Sequence, residues 1–395
     1  MMKPKITDQE FAERAARTQR LMADRNIDIL LAYGHEAEPQ FARYYSDYWP
    51  SFESCGVVMA RDGKPMLLIG PESLTYAGDR SRIPDIRLLA AFRESSNPEY
   101  PGQQLETFDE IIRALGVGRP KKVAIAGINL IAHFTYEELR RALEKFPGVE
   151  ITRGDELVMQ LRRVKSPDEI ACLREAGRIT TAAFEHVLAT IRPGMTELQA
   201  RGLAVGKMYE LGAENEAYPN WVLAGAGGNQ AISRARHKAI PERGLVHLQL
   251  GARYEGYAST VGRPVVFGEP EKWMLDAIAA AYEGYDAVLA QLYAGNNARR
   301  VADAFYGAMR RNGYADWLLY GPCHATGLME GEPPWIEAGS DYILDENMTY
   351  CVCLFMGNKE GYGFRVEDSV RVGAGKADNM TNFRRGIIRP GKAAP

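Results

Sequence analysis

The chain has 395 residues, of which 46% are hydrophobic and 25% charged, and its formal net charge is -3. This length allows two domains with substantial cores. The balanced charge gives no electrostatic reason to expect nucleic acid or an anionic membrane as a partner. No run of about 18 apolar residues predicts a membrane span. The N-terminus lacks an apolar signal core and the cysteines number five, so we expect reduced thiols in a cytoplasmic protein.

The first part of the chain has the pattern of a small α/β domain. Thr7 to Glu10 form a capping box, which predicts a helix over about 8–25. A buried strand is predicted at 27–33, and strands at 55–60 and 65–69 are joined by the turn at 61–63 into a hairpin. A helix at about 104–115, a strand at 122–126 and a helix near 136–145 complete the unit. We place this domain at residues 1–157.

A second domain, at residues 158–395, begins with another strong helix start. Ser166 is a good N-cap, Pro167 occupies the first helical position, and Glu169 closes a capping box. Thr196 and Gln199 repeat the capping box before the next helix. Apolar periodicity predicts further helices at about 271–292 and 298–311.

Residues 249–263, read QLGARYEGYASTVGR, predict a strand, a turn at Glu255-Gly256 and a returning strand. This stretch resembles the metal-binding hairpin of the creatinase/aminopeptidase P/methionine aminopeptidase family, the pita-bread enzymes. The family pattern is roughly Asp-x-Gly, four residues, Gly-Tyr, two residues, Asp, two residues, Arg. Gln249 and Thr260 stand at its two aspartate positions. The resemblance implies an α/β (α+β) fold, with a creatinase-like N-terminal domain and a C-terminal pita-bread domain.

Three later segments extend the resemblance. The segment 320–328 is similar to the family's Gly-His-Gly-x-Gly-Leu, which implies that His324 is a metal-ligand or substrate-binding histidine. In the strand at 348–355, Cys353 takes the place of a catalytic glutamate. The closing Arg-x-Glu-Asp strand matches Arg365 and Glu367, so the last acidic position is retained.

The charge of the implied ligand set decides our expectation about metals. The two-metal members of the family hold two divalent ions with four carboxylates and one histidine. Two such ions about 4 Å apart repel by roughly 16 kcal/mol at an effective dielectric constant of about 20. Only one carboxylate, Glu367, stands at the five ligand positions here, so we expect no metal cofactor. The alternative is one divalent metal such as zinc, held by His324, Cys353 and Glu367. We favour Cys353 as a small buried strand residue over a metal ligand, and a nucleophile activated by His324 is a further alternative.

The metal-free route resembles creatinase, in which a histidine ahead of the hairpin shuttles a proton. His237 is the candidate, because an imidazole titrates near neutral pH, although it could equally be an exposed loop residue. In this reading His324 polarises the substrate, and Glu367 with Glu332 holds it. Arg365 would pair with Glu367 or bind a substrate carboxylate. Tyr257 and Cys353 are further candidates for the substrate pocket.

The resemblance also implies a homodimer in which each N-terminal domain reaches its partner's site. Phe52 and Glu53 are the candidates for that contact, and an ordinary dimer interface would explain Phe52 equally well. We therefore expect a hydrolase that cleaves a C–N bond of a small polar substrate (an amidine, cyclic amidine or amide) without a dinuclear metal centre. The alternatives are a mononuclear metal hydrolase, an Xaa-Pro peptidase or lyase, and a non-catalytic protein that binds a ligand.

Overall fold

A computed structural model describes residues 3–96 and 98–391, and it shows two compact units. The first is Ile6–Arg162, and the second comprises 163–391 together with 3–5. The helix Asp155–Arg162, within which we placed the domain boundary, lies in the first unit. Within the described residues, every helix is too short or too polar to span a bilayer. The mixed α/β architecture predicted from the sequence is confirmed.

The first unit is built around one mixed sheet of six strands. Its strands run in the spatial order β4-β3-β2-β1-β5-β6, and the predicted hairpin is present as the antiparallel pair β2–β3. In chain order the helices and strands are α1 (Asp8–Asp24), β1 (Ile29–Gly34), α2 (Gln40–Ser46), β2 (Cys55–Ala60), β3 (Met66–Ile69), α3 (Leu74–Arg80), β4 (Ile86–Leu88), α4 (Phe108–Ala114), β5 (Lys122–Ala126), α5 (His133–Leu143), β6 (Glu150–Arg153) and α6 (Asp155–Arg162).

The second unit contains a larger antiparallel sheet and four long helices. The strand path is β12-β11-β13-β14-β10-β9-β7, with β15 paired to β14 and β8 paired to β9. Its elements are α7 (Pro167–Thr190), α8 (Glu197–Glu210), β7 (Asn215–Glu216), β8 (Trp221–Ala224), β9 (Gly244–Tyr254), β10 (Tyr257–Phe267), α9 (Lys272–Gln291), α10 (Ala298–Arg311), β11 (Cys323–Ala325), β12 (Glu332–Ile336), β13 (Thr349–Gly357), β14 (Gly363–Val372) and β15 (Ala377–Asn379).

The predicted central hairpin is strand β9, a two-residue turn and strand β10. Glu255 and Gly256 both have positive φ, 48° and 87°, as the favoured two-residue hairpin turns require. Both capping boxes that we predicted at the starts of α7 and α8 are formed. Local sequence therefore determines where these elements begin and how the hairpin closes.

One face of the large sheet, which we call the helix face, packs against α7 and α9. Thr180 on α7 bonds to the backbone of Ser259 on β10, and Tyr285 on α9 donates its hydroxyl to Asp368 on β14 at 2.8 Å. Asp368 also accepts two hydrogen bonds from the fully buried Arg263 guanidinium, at 2.9 and 3.0 Å. Side chains alternate along a strand, so the residues next to Asp368 project from the opposite face, which we call the site face.

Candidate active site

Two rows of paired residues cross the site face of the sheet. The first row runs Gln249–Gly262–Glu367–Cys353, from β9 across β10 and β14 to β13. The second row lies two residues further along each strand. It runs Gly251–Thr260 on the hairpin and Ser369–Cys351–His324 on the other three strands, and the Thr260 backbone N–H donates to the Ser369 hydroxyl. Antiparallel register thus brings together residues that are over 100 positions apart.

The absence of a side chain at Gly262 allows the first row to close. A Cβ at this position would lie 2.9 Å from the Glu367 Cβ and 3.1 Å from the Arg365 Cβ. Through the space left by Gly262, the Gln249 amide nitrogen donates to both oxygens of Glu367 at 2.8 Å. Gln249 is therefore a hydrogen-bonding partner that orients Glu367.

Arg365 is the buried cation of the site. Its guanidinium donates to the Gln249 amide oxygen, to the Tyr320 hydroxyl and to a backbone carbonyl, and it lies 3.9 Å from Glu367. It also lies over aromatic rings, 4.7 Å from the Trp221 centroid and 5.4 Å from Phe355. Both roles that we considered for Arg365, pairing with Glu367 and binding a substrate carboxylate, stay predictions.

His324 and two cysteines occupy the other end of the site. One donor atom from each of His324, Cys351 and Cys353 lies within 4.8 Å of the others, and all three side chains are buried. A second such group consists of Glu330, Cys351 and Glu367. The His324 Nε2 atom is 3.5 Å from a Glu330 carboxylate oxygen. The site therefore combines imidazole, thiol and carboxylate groups in a small volume.

These neighbours shift the acidity of the site. Burial alone would raise the pKa of the Cys353 thiol, but a hydrogen bond from Cys351 and the charge of Arg365 together bring that pKa well below its ordinary value. Burial alone would lower the pKa of His324, but Glu330 and Cys353 raise it to about 10. Burial, reinforced by Cys353, raises the pKa of Glu367 well above its usual range. The geometry thus favours a Cys353 thiolate beside a protonated His324.

The Tyr218 hydroxyl and the Trp221 indole nitrogen are buried at the site and have no hydrogen-bond partner within the described residues. Their rings lie 5.1 Å apart. Burial raises the pKa of Tyr218 well above its ordinary value, and the negative charges of Glu367 and Glu330 reinforce this shift. Unpartnered buried donors are costly, so a ligand with acceptor groups would satisfy them.

The donor set can be compared with the needs of a metal ion. A pair of divalent ions needs several carboxylates, but Glu367 already accepts the Gln249 amide on both oxygens and has the Arg365 guanidinium beside it. One ion fits better, because an imidazole and two thiols with mutually close donor atoms form a suitable set for zinc. His324, Cys351 and Cys353 are therefore the residues that would hold a metal.

The structure places the other predicted site residues apart from this group. His237 is exposed in the loop 225–243, next to Arg236, whose guanidinium is bound by the buried Glu197. Glu332 pairs with the buried Lys165 ammonium at 2.9 Å. Tyr257 donates its hydroxyl to Glu169 at 2.7 Å, near the start of α7.

The two candidates for a contact between subunits differ in their exposure. Phe52 has positive φ, and 83% of its surface is exposed. Glu53 is buried, and its carboxylate accepts hydrogen bonds from the Ser73 hydroxyl and from the backbone N–H groups of Glu72 and Ser73. Phe52 is thus the residue of the two that is available at the surface.

Sequence reasoning missed several residues of the site. Cys351, Tyr218, Trp221 and Glu330 were not singled out as candidate site residues. The available signal for Cys351 was its position two residues before Cys353, because residues i and i+2 of a strand share a face. Tyr218 and Trp221 carried no comparable signal, since Trp221 comes to the site through the pairing of β8 with β9 and Tyr218 lies in the bend between β7 and β8.

Comparison with known proteins gives one family match and many similar structures. The model of "Metallopeptidase family M24" matches residues 171–374, just over half of the chain. The chain is 23% identical over 376 residues to the Xaa-Pro dipeptidase of Pyrococcus furiosus. The aligned region covers 95% of this chain and 99% of that protein. It is 25% identical over 272 residues to an uncharacterised peptidase of Bacillus subtilis, covering 69% of this chain and 75% of that protein.

Solved structures agree with the fold. The X-Pro aminopeptidase of Thermotoga maritima superposes with a TM-score of 0.82 at 21% identity, covering 94% of this chain and 98% of that one. The prolidase of Pyrococcus horikoshii superposes with a TM-score of 0.81 at 21% identity, covering 95% of this chain and 100% of that one. These likenesses confirm the pita-bread fold implied by the resemblance.

The family match also corrects one expectation. We expected no metal cofactor, and the match to a metallopeptidase family contradicts this. Cys351 and Glu330 lie outside the five ligand positions of the family pattern, and the sheet brings both to the same place as His324, Cys353 and Glu367.

Proposed function

The chain belongs to metallopeptidase family M24, and from this premise we propose that it is a metal-assisted peptidase that hydrolyses the amide bond before proline in a short peptide. The observation that carries the proposal is the similarity to an Xaa-Pro dipeptidase over 95% of this chain. This replaces the amidine or cyclic amidine that we first expected as the substrate. An ordinary amide bond before proline is still a C–N bond, so the reaction type, hydrolysis, is unchanged.

The chemistry of the site supports a small substrate with both apolar and acceptor groups. Aromatic rings of Trp221, Tyr320 and Trp335 lie around Arg365 and His324, and they would pack against a proline ring. The carboxylate and carbonyl oxygens of a dipeptide would accept hydrogen bonds from the Tyr218 hydroxyl and the Trp221 indole nitrogen. A divalent ion held at His324 would polarise the scissile carbonyl.

The chain's own residues then have separate tasks in the proposal. Gln249 and Arg365 hold Glu367 in one orientation, and Glu367, whose pKa is raised by burial, would donate a proton to the leaving nitrogen. Glu330 lies half-buried beside His324 and can accept a proton from the attacking water. The assignment of His237 as proton shuttle stays a prediction, which replacement of this exposed residue by Gln tests.

The proposal is tested by measuring kcat/KM on Xaa-Pro dipeptides and on matched Xaa-Ala dipeptides. We expect turnover of the Xaa-Pro series only, abolished by dialysis against a chelator and restored by a divalent ion. Glu367→Gln should lower kcat by about 100-fold or more, because general acid catalysis is worth about 10²–10⁴. The matched control is Cys172→Ala, which alters a buried cysteine of α7. Equal rates on both dipeptide series would contradict the assignment of proline specificity.

A second candidate follows from the paucity of free carboxylates at the site. The buried Arg365 and the amide of Gln249 occupy positions where a pair of metal ions would need anionic ligands. Because a dinuclear peptidase centre lacks its ligands here, a non-peptide amide or amidine is the second candidate substrate. A panel of guanidino compounds, ectoines and betaines separates the two. Turnover of one of these with none of any dipeptide would support the second candidate. Thermal stabilisation by a compound with no turnover at all would indicate a non-catalytic binding protein.

We also propose that the chain acts as a cytoplasmic homodimer in which the N-terminal unit contributes to the partner's site. The exposed aromatic side chains of Phe52 and Phe134 support an interface between subunits. The five cysteines, which are all buried free thiols, support a reducing compartment. Sedimentation of the wild-type chain and of Phe52→Ser tests this. A monomeric wild-type chain, or turnover unaffected by Phe52→Ser, would contradict it.

A further inference from the structure

Cys351 and Cys353 face the site, whereas the neighbouring Cys323 faces the core. Cys323 is fully buried on the helix face, in the apolar cluster formed by α9, α10 and the sheet. In contrast, the Cys351 Sγ lies 3.3 Å from the Thr260 hydroxyl and the Cys353 Sγ lies 3.6 Å from the Tyr320 hydroxyl. Strand alternation causes this difference, because 351 and 353 share a face. The two thiols are therefore in polar surroundings and do not serve as apolar filling.

The spacing of the three donor groups suits one metal ion. His324 pairs directly with Cys351 across β11 and β13, and the three donor atoms lie within 4.8 Å of one another. Zinc–sulfur and zinc–nitrogen bonds of about 2.3 and 2.0 Å place tetrahedral donors about 3.5–4 Å apart. Small rotations of the side chains are enough to reach this separation.

We propose that His324, Cys351 and Cys353 form a site for a single thiophilic divalent ion, with zinc as the reference ion. Two thiolates balance the charge of one such ion, and thiolate ligands select zinc over the oxygen-preferring manganese and magnesium. A fourth position is available to a carboxylate oxygen of Glu330 or to water. A second ion would have to lie beside the positively charged Arg365 guanidinium, and both oxygens of its nearest carboxylate, Glu367, already accept hydrogen bonds from Gln249. The inference rests on the donor geometry and not on the identity of the substrate.

The direct test uses the wild-type chain and needs no activity measurement. The chain is stripped with a chelator, refilled with Co²⁺ and examined by absorption spectroscopy. We expect an intense near-ultraviolet thiolate-to-cobalt charge-transfer band that saturates at one ion per chain, and displacement of Co²⁺ by Zn²⁺ but not by Mn²⁺. Saturation at two ions per chain, or absence of the charge-transfer band, would overturn the proposal.

Variants then identify the ligands. Cys351→Ser and Cys353→Ser should each weaken zinc binding by more than about 100-fold, because even the outer partners of metal ligands are worth about 10–100-fold. Cys323→Ala is the matched control, since it removes an equally buried thiol next to His324 from the opposite face, and it should bind zinc as the wild type does. Near-ultraviolet circular dichroism of each metal-free variant shows whether it is folded.

The outcomes separate this proposal from the proposed function. Zinc binding that survives in the folded double variant Cys351→Ser/Cys353→Ser would refute the ligand assignment, whatever the chain hydrolyses. A site confirmed by these measurements in a chain that cleaves no Xaa-Pro dipeptide would instead refute the substrate assignment alone. If neither serine variant folds, the cobalt spectrum of the wild type decides the question.

Discussion

His247 provides a prediction about acid stability whose size follows from the structure. The ring is fully buried on β9, with Nδ1 3.3 Å from the Gly228 carbonyl oxygen. Burial, and then the positive charge of Arg365, lowers the pKa of His247 to about 3. In the unfolded chain an ordinary histidine has a pKa of about 6.5. The neutral ring is therefore compatible with the fold, and the protonated ring is not.

The sign of the effect follows from proton linkage. Because the folded pKa is below the unfolded one, the unfolded state binds the additional proton as the pH falls. The stability associated with His247 is fully present above pH 6.5 and is lost progressively towards pH 3. At pH 5 the unfolded pKa is about 1.5 units above the pH, and each unit is worth about 1.36 kcal/mol. His247 alone should thus remove about 2 kcal/mol of unfolding free energy between pH 8 and pH 5.

Urea unfolding followed by tryptophan fluorescence at pH 8 and pH 5 measures this loss. His247→Asn keeps a donor for the Gly228 carbonyl but cannot be protonated, so its loss over the same interval should be about 2 kcal/mol smaller than in the wild type. The variant is expected to be less stable at both pH values, since it packs less well against Trp221 and Phe355. The control, His237→Asn, changes an exposed histidine and should retain the wild-type loss. Equal losses in His247→Asn and the wild type would refute the reasoning.

Three further perturbations test the packing around the site. Glu332→Gln should cost about 3–5 kcal/mol by leaving the Lys165 ammonium buried without its charge partner, and Lys165→Met in the same chain should restore most of this loss; a urea double-mutant cycle with additive effects would contradict the pairing. Asp368→Asn should also cost about 3 kcal/mol or more, because it weakens the acceptor of the buried Arg263, and an unchanged thermal midpoint would contradict this role. Gly262→Ala should lower the free energy of unfolding by about 1–3 kcal/mol through overpacking against Glu367. Calorimetry that shows wild-type stability would contradict the close contact between β10 and β14.

The elements that were predicted well depend on local interactions. The helix starting after Ser166 and the helix starting after Thr196 are each set by bonds within four residues, so their sequence signals suffice. The hairpin at Glu255-Gly256 likewise needs only two residues with positive φ. For the same reason the strand and helix bounds differ from prediction mainly by a few residues at their ends.

The site was predicted less well because its members meet across strands. The hydrogen bond between Gln249 and Glu367 joins residues 118 positions apart. Without knowledge of the strand register, the sequence shows only that Gln249 replaces an aspartate of the family pattern. The spacing of Cys351 from Cys353 places both on one face of β13, but the pairing of Cys351 with His324 depends on the strand register, which the sequence does not give. Glu332 was expected to hold the substrate, but it lies at the start of β12, where its carboxylate pairs with the buried Lys165 ammonium.

Close contact between β10 and β14 restricts the order in which this site can acquire new residues. An acidic side chain at position 262 would begin 2.9 Å from the Glu367 Cβ and 3.1 Å from the Arg365 Cβ, so β10 and β14 must shift apart to accept it. Shortening Glu367 or Arg365 does not remove this contact, because every residue except glycine has a Cβ, so a carboxylate at position 262 needs a second change that lets the two strands separate. Engineering of the chain towards new chemistry should therefore begin with paired libraries at these positions and not with single replacements.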